Sequence, residues 1–437
     1  MKKINYFLIG IKGSGMSSLA LILNDLGYNV SGSDINEYTF TQKKLENAGI
    51  KIFPFNSNNI KKDMVVIAGN SFSDDQPEIK KARELNDVFM RYHEFLSKFI
   101  KKYVSIGIAG AHGKTSTTSL LAHIFSQFDK TSYLIGDGSG KGVQNSKFFI
   151  FEADEYHRRF LSYYPDYLVI TNIDFDHPDY YKNINDVFNA FQSEVNQTSK
   201  AIIACGEDPY LLKLNANIPI YYYGISDCND FLAYNIKYTT EGTEFDVNYK
   251  NKKIGHFKTK LFGKHNVLNC LAAISMGYIE NIPYSNIYNS ILTFKGAKRR
   301  FDQVKINNVI IIDDYAHHPS EINATLNATK QKYPNKKIVV VFQPHTYSRT
   351  KAYLNDFADV LSKADEVYIT PIFGSARESD GSISSKDLVS KIKNSNLLTM
   401  NNINELLKNK DDDVVLFMGA GDIQKYENAY EKFLKNI

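Results

Sequence analysis

The sequence contains no tryptophan, three cysteines and 11 prolines among its 437 residues. The cysteines (Cys205, Cys228 and Cys270) are far apart and odd in number, so they form no Cys-x-x-Cys motif and no evident disulfide framework. This use of cysteine is typical of a reducing compartment. Because proline is scarce, we expect the linkers between domains to be short.

Long apolar runs are also absent. No stretch of about 18 consecutive apolar residues occurs, so the sequence predicts no membrane-spanning helix and no membrane partner. The apolar run at residues 4–9, which follows Lys2 and Lys3, is too short for the core of a signal peptide. We therefore expect a cytoplasmic protein.

Neither sign of charge dominates the sequence. The net charge is +4 and the basic and acidic residues are interspersed, which argues against a nucleic-acid partner. The hydrophobic content of 43% and the charged content of 23% are ordinary for a soluble globular protein. The length predicts about two to four domains.

Strand-like and helix-like segments alternate along most of the chain, which predicts an α/β protein with parallel sheets. We expect three domains, at residues 1–100, 101–297 and 298–437. For the first we predict strands at 5–9, 29–32 and 63–68 and helices at 14–26, 76–86 and 93–101. For the second we predict strands at 104–109, 147–151, 167–171 and 200–204, a helix starting near Thr117, antiparallel strands between 218 and 258, and helices at 266–278 and 285–292. For the third we predict strands at 309–312, 337–342, 366–369 and 414–418 and a final helix at 423–434.

The strongest functional motif follows the predicted strand at residues 104–109. It is Gly110-Ala111-His112-Gly113-Lys114-Thr115-Ser116. A strand, a glycine turn, Lys-Thr and a helix start together form a phosphate cradle, in which backbone N–H groups and the helix N-terminus face the anion. The loop is shorter than the general consensus, because Ile108 stands where the first glycine is expected. The alternative interpretation is a glycine turn without a ligand.

A second glycine turn, Gly10-Ile11-Lys12-Gly13-Ser14-Gly15-Met16, follows the first predicted strand. It resembles a dinucleotide-binding turn, although Ser18 takes the place of the third glycine. Asp34 ends the next strand about 20 residues later, where an acid can bind a ribose hydroxyl. This turn predicts a second nucleotide-type site, and the alternative is a structural turn.

Acidic residues end two strands that follow the phosphate loop. They are Glu152, Asp154 and Glu155 after one strand, and Asp174 and Asp176, with His177, after the next. Carboxylates at strand ends beside a phosphate loop suit Mg²⁺, which prefers oxygen ligands and bridges phosphates. The alternative is a pair of strand ends with solvated charges.

Further candidates lie at other junctions. His265 and Asn266 precede a predicted helix, where Asn266 is a candidate helix cap and the pair is a candidate adenine contact. The run Lys298-Arg299-Arg300 is either a solvated face or a phosphate clamp at a domain junction. Six of the ten histidines follow strands or precede helices, at positions 112, 177, 265, 317, 318 and 345. In open α/β sheets that edge is where ligands bind.

Taken together and in order, these motifs resemble the Mur ligases, the ATP-dependent amide-forming enzymes of peptidoglycan synthesis. The resemblance covers nearly the whole chain. Besides the motifs above it includes Phe301-Asp302 after the Lys-Arg-Arg run, Asp313-Asp314-Tyr315-Ala316-His317-His318-Pro319, Gln343-Pro344-His345 and Gly419-Ala420-Gly421. The shortened phosphate loop matches the family's own version.

The resemblance implies a fold of three domains: an N-terminal Rossmann-like domain that binds a UDP-substrate, a central P-loop ATPase domain and a C-terminal Rossmann-like domain. It implies that ATP phosphorylates the lactyl carboxylate of UDP-N-acetylmuramate, and that an amine then attacks the acyl phosphate. The Gly10–Met16 block favours L-alanine as that amine. The implied cofactors are ATP and one or two Mg²⁺ ions, for which Mn²⁺ can substitute, in a monomer or homodimer.

The resemblance also implies residue roles. Lys114 would hold the γ-phosphate, Thr115 and Glu152 one Mg²⁺, and His177 with Glu152 a second. The implied ATP-binding residues are Gly110, Ala111, His112, Gly113, Lys114, Thr115, Ser116, His265 and Asn266 at adenine, Asp314 at the ribose and Arg300 at the phosphates. The implied amino-acid pocket is formed by Tyr315, His317, His345 and Arg349. Gly13, Ser14, Gly15, Met16 and Asp34 would bind the UDP part. Some family members carry arginine where this chain has Thr346, which leaves Arg349 to hold the amino-acid carboxylate with less help.

Other functions remain alternatives at this point. A murein peptide ligase, which attaches a recycled tripeptide to the same acceptor, would share nearly all of these motifs. Folylpolyglutamate synthase is not expected to carry the Gly10–Met16 domain. A nicotinamide-dependent oxidoreductase would not explain Lys114 and Thr115, and a nucleotide-sensing regulator would bind ATP without amine-dependent turnover.

Overall fold

The computed structural model describes residues 4–85, 88–374, 383–408 and 413–436, which fold into three α/β domains with one sheet each. The α/β prediction is confirmed. Asn86, the predicted end of a helix, and Lys2 and Lys3 lie outside the described residues. None of the helices in the described part of the chain has the length and hydropathy that a bilayer crossing requires.

The N-terminal domain is a five-stranded parallel sheet in the order β3-β2-β1-β4-β5. Its strands are β1 (Asn5–Ile9), β2 (Asn29–Asp34), β3 (Lys51–Pro54), β4 (Met64–Ala68) and β5 (Phe89–Arg91), and its helices are α1 (Ser14–Asp25), α2 (Gln42–Asn47), α3 (Pro77–Leu85) and α4 (Tyr92–Ile100). The order of the strands reverses at β1, so the glycine turn between β1 and α1 lies where open α/β sheets bind ligands.

The central domain is a ten-stranded mixed sheet in the order β15-β14-β13-β12-β11-β10-β6-β9-β7-β8. Its strands are β6 (Val104–Ala109), β7 (Thr131–Ile135), β8 (Ser139–Lys141), β9 (Phe148–Glu152), β10 (Tyr167–Ile170), β11 (Ala201–Cys205), β12 (Ile220–Gly224), β13 (Phe231–Thr239), β14 (Gly242–Tyr249) and β15 (Lys252–Thr259). Its helices are α5 (Lys114–Phe128), α6 (Ile184–Gln197), α7 (Lys264–Ile279) and α8 (Tyr284–Thr293). Because β10, β6 and β9 are neighbours and parallel, their carboxyl ends meet at one edge.

Two sequence predictions for this domain were wrong in part. The segment between residues 218 and 258 is antiparallel only at β13–β14–β15, since β12 pairs parallel with both β11 and β13. Three of the five residues of β12 are only half-buried, so its sequence resembles that of an antiparallel strand. The amino-acid composition of a strand does not determine whether it pairs parallel or antiparallel. Helix α5 begins at Lys114 rather than near Thr117, because Gly113 adopts φ +84° and turns the chain directly into the helix.

The described strands of the C-terminal domain form a six-stranded sheet in the order β16-β17-β21-β18-β19-β20, and among them only β16 is antiparallel to its neighbour. Its strands are β16 (Asp302–Ile306), β17 (Val309–Asp314), β18 (Ile338–Phe342), β19 (Glu366–Ile369), β20 (Ser395–Leu397) and β21 (Val414–Met418). Its helices are α9 (Pro319–Lys332), α10 (Tyr347–Ala352), α11 (Leu354–Leu361), α12 (Ser385–Val389) and α13 (Gln424–Lys435).

Two of the three domains share an apolar core, whereas the third has apolar clusters of its own. The N-terminal and central domains contribute to one continuous cluster, which includes Leu19 of α1 and Phe125 of α5. Helix α1 lies so close to β8 that a Cβ on Gly140 would sit 2.2 Å from the Ser18 carbonyl oxygen. The C-terminal domain has separate clusters on the two faces of its sheet. The predicted domain boundaries fall directly after α4 and between α8 and β16, and they remain predictions.

Candidate functional site

The phosphate loop, defined as residues 110–116, connects β6 to α5 and is held by the segment after β10. The Asn172 side-chain oxygen accepts a hydrogen bond from the His112 N–H at 2.9 Å, and the Asn172 carbonyl accepts one from the Ala111 N–H at 3.2 Å. A Cβ on Gly110 would lie 2.0 Å from the Thr171 hydroxyl, so this position requires glycine. The loop therefore has a fixed shape, with the N-terminus of α5 at its centre.

Lys114, the first residue of α5, turns its side chain back over the loop. Its ammonium donates to the carbonyls of Gly110 and Ala111 and lies 2.9 Å from a carboxylate oxygen of Glu155. Burial alone would lower the pKa of Lys114, but the charge of Glu155 outweighs burial and raises it. The loop therefore holds a protonated lysine.

Two acids from the end of β9 lie beside this lysine. The Glu152 carboxylate accepts a hydrogen bond from the Gly136 N–H at 2.6 Å and another from the Thr115 hydroxyl. Burial raises the pKa of Glu152 and, against the opposing charge of Lys114, that of Glu155. A cation bound nearby would stabilise the ionised form of these buried carboxylates.

The predicted metal ligands are brought together only in part. Thr115 and Glu152 are in contact, but His177 Nε2 lies 3.9 Å from Glu155 and 3.8 Å from Asp176. Burial lowers the pKa of His177, which favours the neutral imidazole that binds metals. These oxygen and nitrogen atoms are ligand types that suit a divalent cation. The carboxylate nearest to His177 that belongs to the end of β9 is that of Glu155.

A cavity of about 510 Å³ opens between the phosphate loop, the start of α7 and the C-terminal domain. Its lining contains many of the residues predicted to bind ATP, namely His112, Gly113, Ser116, His265, Asn266, Arg300 and Asp314. Lys114 and Thr115 instead face the acids at the end of β9.

Asn266 does not cap α7, contrary to one of the two interpretations above. The helix begins at Lys264 with Gly263 as its N-cap, so Asn266 lies inside the first turn. Its amide donates to the Phe262 carbonyl at 2.8 Å and lies 3.1 Å from His265 Nε2. Burial and the charge of Arg300 lower the pKa of His265 to about 4, so this imidazole is neutral at the cavity wall.

The run at residues 298–300 is not a uniformly solvated face. Arg299 pairs with Asp313 at 3.1 Å, and Arg300 lies 3.4 Å from Glu321. Asp314 accepts hydrogen bonds from the N–H groups of Phe301 and Ala316, both at 2.8 Å, and burial raises its pKa to about 6. Arg300 and Asp314 thus line the cavity from the C-terminal domain.

The four residues predicted to bind the amino acid form a continuous chain. The Tyr315 and His317 rings are 5.4 Å apart, those of His317 and His345 6.0 Å apart, and Arg349 lies 3.3 Å from His345 Nδ1. Arg349 is buried and also donates to Asp176 of the central domain at 2.8 Å. The charge of Arg349 overrides burial and holds the pKa of Asp176 well below its usual range.

The glycine turn of the N-terminal domain brings together its predicted residues as well. Gly13 precedes α1, Ser14, Gly15 and Met16 form the first turn, and the Asp34 carboxylate accepts the Lys12 N–H at 2.6 Å. A second cavity of about 610 Å³ lies between the N-terminal and central domains, and Phe72 of its lining packs so close to Gly10 of the turn that a Cβ there would sit 2.2 Å from the Phe72 ring. The lining of this cavity is Asn70, Ser71, Phe72, Arg91, His93, His157, Arg158, Arg159 and Ser162.

Several residues of these sites were not predicted from the sequence. Glu155 was seen among the strand-end acids but received no role, and Glu321, Arg158 and Arg159 were not considered. Glu321 resembles an ordinary capping residue, since it occupies the third position of α9. Only the fold places it against the phosphate loop.

Six of the thirteen non-glycine residues with left-handed backbone angles in the described part of the chain lie at these sites. His157, His177, Arg299 and Phe301 have φ between +55° and +60°, and the β-branched Thr346 has φ +66°. Such angles are uncommon for these residue types and occur where the surrounding structure imposes them. The surrounding structure therefore holds the backbone at the β-branched Thr346 in a strained conformation.

Comparisons with known proteins agree with this architecture. Three family models match: "Mur ligase family, catalytic domain" over residues 5–104, "Mur ligase middle domain" over 108–277, and "Mur ligase, glutamate ligase domain" over 299–421. Together they span most of the chain.

Full-length relatives are also similar. The chain is 57% identical over 434 residues to the UDP-N-acetylmuramate–L-alanine ligase of Lacticaseibacillus paracasei, covering 99% of both chains. It is 57% identical over 433 residues to the enzyme of that name from Ligilactobacillus salivarius, covering 99% of this chain and 98% of that one. Among solved structures, the UDP-N-acetylmuramate–alanine ligase of Thermotoga maritima superposes with a TM-score of 0.84 at 27% identity, with 99% of both chains covered. A murein peptide ligase of Psychrobacter arcticus shares the fold, with a TM-score of 0.71 at 23% identity and 99% coverage of both chains.

Proposed function

The chain belongs to the Mur ligase family, and from this premise we propose that it joins L-alanine to UDP-N-acetylmuramate with cleavage of ATP to ADP and phosphate. It is an ATP-dependent ligase that forms an amide bond in peptidoglycan precursor synthesis. A lactyl carboxylate oxygen attacks the γ-phosphorus and ADP leaves. The alanine nitrogen then attacks the acyl carbon, loses a proton, and the tetrahedral intermediate expels phosphate.

The observation that carries this proposal is the arrangement around Lys114. A protonated lysine lies over a rigid phosphate loop, with acids on one side and a nucleotide-sized cavity on the other. Phosphoryl transfer requires mainly positioning and neutralisation of charge, because the transition state spreads negative charge over the equatorial oxygens. Lys114 exchanges its contact with Glu155 for the γ-phosphate when ATP binds.

We assign the cavity of about 510 Å³ to ATP. Neutral His265 and the Asn266 amide meet the adenine edge, Asp314 accepts from the ribose hydroxyls, and Arg300 binds the phosphates. Arg300 lies on the C-terminal domain, so it reaches the phosphates only when that domain is docked against the central one.

Mg²⁺ belongs at the end of β9. Thr115 and Glu152 supply oxygens for one ion, and His177 supplies a nitrogen for a second, with Glu152 or the neighbouring Glu155 completing its carboxylate ligands. When bound, Mg²⁺ neutralises phosphate charge and orients the attacking carboxylate. Mn²⁺ accepts the same ligand types.

The UDP-sugar binds from the turn of the N-terminal domain towards the second cavity. The N–H groups at the start of α1, from Ser14 to Met16, face the diphosphate, and Asp34 fixes the shape of the turn. The basic lining of the cavity, which includes Arg91, Arg158 and Arg159, suits the acidic acceptor. The proposed substrates are cytoplasmic metabolites, which places the reaction in the cytoplasm.

L-Alanine binds at the chain of Tyr315, His317, His345 and Arg349. Arg349 keeps an N–H group towards His345 while its other donors hold Asp176. Its guanidinium is therefore fixed in place before the amino-acid carboxylate arrives, which compensates for the neutral Thr346.

Phosphate release from ATP tests the proposal, in reactions with UDP-N-acetylmuramate, Mg²⁺ and one amine at a time. The amines are L-alanine, glycine, L-serine, D-glutamate and the recycled tripeptide. Release with L-alanine far above the others is expected. Release only with the tripeptide would identify a murein peptide ligase. If ATP binds but none of the amines gives phosphate release, ligase activity is rejected.

A further inference from the structure

The C-terminal domain meets the central domain through polar contacts and an aromatic pair, Phe262 with Phe301, whose ring centroids are 5.8 Å apart. Its apolar clusters are separate from the core that the other two domains share. The described contacts across this junction include Arg349 with Asp176, the Tyr353 hydroxyl with the Phe175 carbonyl, and Gln331 with Gly263. Hydrogen bonds and charges therefore contribute to the docking of this domain, whose core clusters do not merge with that of the central domain.

His112 of the phosphate loop takes part in this junction. Its Nε2 lies 3.1 Å from Asp174 of the same domain, and its Nδ1 lies 3.6 Å from Glu321 of the C-terminal domain. Carboxylates that face both nitrogens of an imidazole favour its protonated form, in which each nitrogen carries a hydrogen. A metal ion shared by His112, Asp174 and His318, whose ligand atoms lie within 4.8 Å of one another, would require neutral His112 and the loss of these donors.

Glu321 is the partner that collects the contacts on the other side. One of its oxygens accepts the N–H groups of His317 and His318, at 3.0 and 3.3 Å, as in a capping box at the start of α9. The other oxygen faces both His112 and Arg300, at 3.6 and 3.4 Å. One carboxylate thus connects α9, the phosphate loop and the arginine assigned to the ATP phosphates.

We propose that His112 and Glu321 form a docking contact through which the C-terminal domain sets the phosphate loop and Arg300 in register for phosphoryl transfer. Both are positioning residues, since they act through the loop and through Arg300. The inference rests on the proposed function for its catalytic consequence, whereas the docking itself does not require turnover.

Two substitutions remove the charges with little change in shape. Glu321→Gln keeps an oxygen that caps α9, because glutamine also serves in capping boxes. His112→Gln keeps an amide donor for one carboxylate. We expect each variant to lower kcat for alanine-dependent phosphate release by about tenfold, and the double variant to be no slower than the slower single variant, because residues in one network are not additive. Losses that multiply in the double variant would contradict the docking contact.

The pH dependence gives a readout that a merely structural role would not change. Asp174, Asp176, Glu321 and His318 face the His112 ring. Burial would lower the pKa of His112, but the neighbouring carboxylates of Asp174 and Glu321 raise it to about 9. The contact is therefore complete at low pH and is lost as the pH rises through about 9. The ratio of wild-type kcat to His112→Gln kcat should fall from about tenfold at pH 7 towards one above pH 9. This ratio cancels the titration of the alanine amine, and a constant ratio would contradict the inference.

Hydrogen–deuterium exchange tests docking without turnover. Backbone amides of residues 110–116 and 317–323 should exchange several-fold faster in both single variants than in the wild type. Unchanged exchange in both segments would overturn the docking contact, whatever the activity. A wild type without alanine-dependent turnover but with these exchange differences would reject the proposed function and leave the contact standing.

His256→Gln is the matched control. His256 of β15 also bonds a carboxylate, Asp246, at 3.1 Å, but it lies in the antiparallel part of the central sheet. We expect it to leave kcat and the exchange of both segments unchanged. A tenfold loss in this control would mean that any histidine–carboxylate pair has the effect, and the inference would fail.

Discussion

The two glycine loops of this chain look alike in sequence and differ in how their charges are used. In the loop at residues 10–16, Lys12 is buried and its ammonium donates to the carbonyls of Ile35 and Glu37 at 2.8 and 3.0 Å. In the loop at 110–116, Lys114 faces Glu155, a carboxylate whose pKa burial has raised. The Lys12 ammonium is hydrogen-bonded to backbone carbonyls, whereas the Lys114 ammonium is paired with a carboxylate that a phosphate can replace.

This difference indicates separate tasks for the two loops. The first loop offers an anion only backbone N–H groups and the N-terminus of α1, which suits binding of a diphosphate that does not react. The second loop adds a cation whose carboxylate partner a phosphate can replace, together with oxygen ligands for a metal, and phosphoryl transfer requires both. Substitutions that act on one loop at a time can sharpen or break this comparison.

The largest effect is expected for Lys114→Ala. Loss of the cation at the γ-phosphate should lower kcat by about 100- to 1,000-fold, the range found when one preorganised transition-state donor is removed. Alanine-dependent phosphate release measures the loss, and the far-ultraviolet circular dichroism spectrum should stay unchanged. Lys258→Ala, which removes an exposed lysine paired with Glu244 on the antiparallel strands, is the control. Wild-type activity in Lys114→Ala would remove the catalytic role of the second loop.

An intermediate effect is expected for Ser14→Glu. Ser14 is the first residue of α1, so a glutamate carboxylate there would occupy the proposed diphosphate site. Its negative charge at the N-terminus would also stabilise the helix, so the fold should be kept. The KM for UDP-N-acetylmuramate should rise by at least about tenfold through like-charge repulsion. The KM for ATP and the thermal midpoint should remain near their wild-type values. An increase confined to ATP would assign the first loop to the wrong nucleotide.

The smallest effect on catalysis is expected for Lys12→Met. The side chain keeps its apolar stem but leaves the carbonyls of Ile35 and Glu37 without their donor. The free energy of unfolding should decrease by about 1–3 kcal/mol, while kcat stays within about twofold. Urea unfolding can be followed by tyrosine fluorescence, since the chain has 29 tyrosines and no tryptophan. A loss of kcat similar to that of Lys114→Ala would show that the two lysines share one task.

Local patterns were enough to predict much of the fold. The strands at residues 5–9, 104–109, 366–369 and 414–418 agree with the structure at both ends. Buried strands of an α/β sheet are continuous apolar runs bounded by polar turns, so their limits are visible in the sequence. Strands β7 and β12 were harder to identify, because β7 is rich in serine, threonine and tyrosine and the direction of β12 depends on its neighbour.

The candidate site was predictable where a motif lies on one segment. The sequence shows where these motifs begin, because an apolar strand is followed directly by the glycine loop at 110–116 or, at β9 and β10, by acidic residues. Glu321 and the pairing of Asp176 with Arg349 had no such signal, because both depend on how the C-terminal domain meets the central one. Contacts between domains are set by three-dimensional packing, which no local spacing encodes.

The central claim is that the two glycine loops serve different nucleotides, and titration calorimetry tests it most directly. UDP and ATP, each with Mg²⁺ and without the acceptor, are titrated into the wild type, Ser14→Glu and Lys114→Ala. The account predicts that Ser14→Glu weakens the binding of UDP and leaves the binding of ATP unchanged. It predicts that Lys114→Ala weakens the binding of ATP and leaves the binding of UDP unchanged. Weakening of both nucleotides by either substitution alone, or of UDP by Lys114→Ala, would contradict the account.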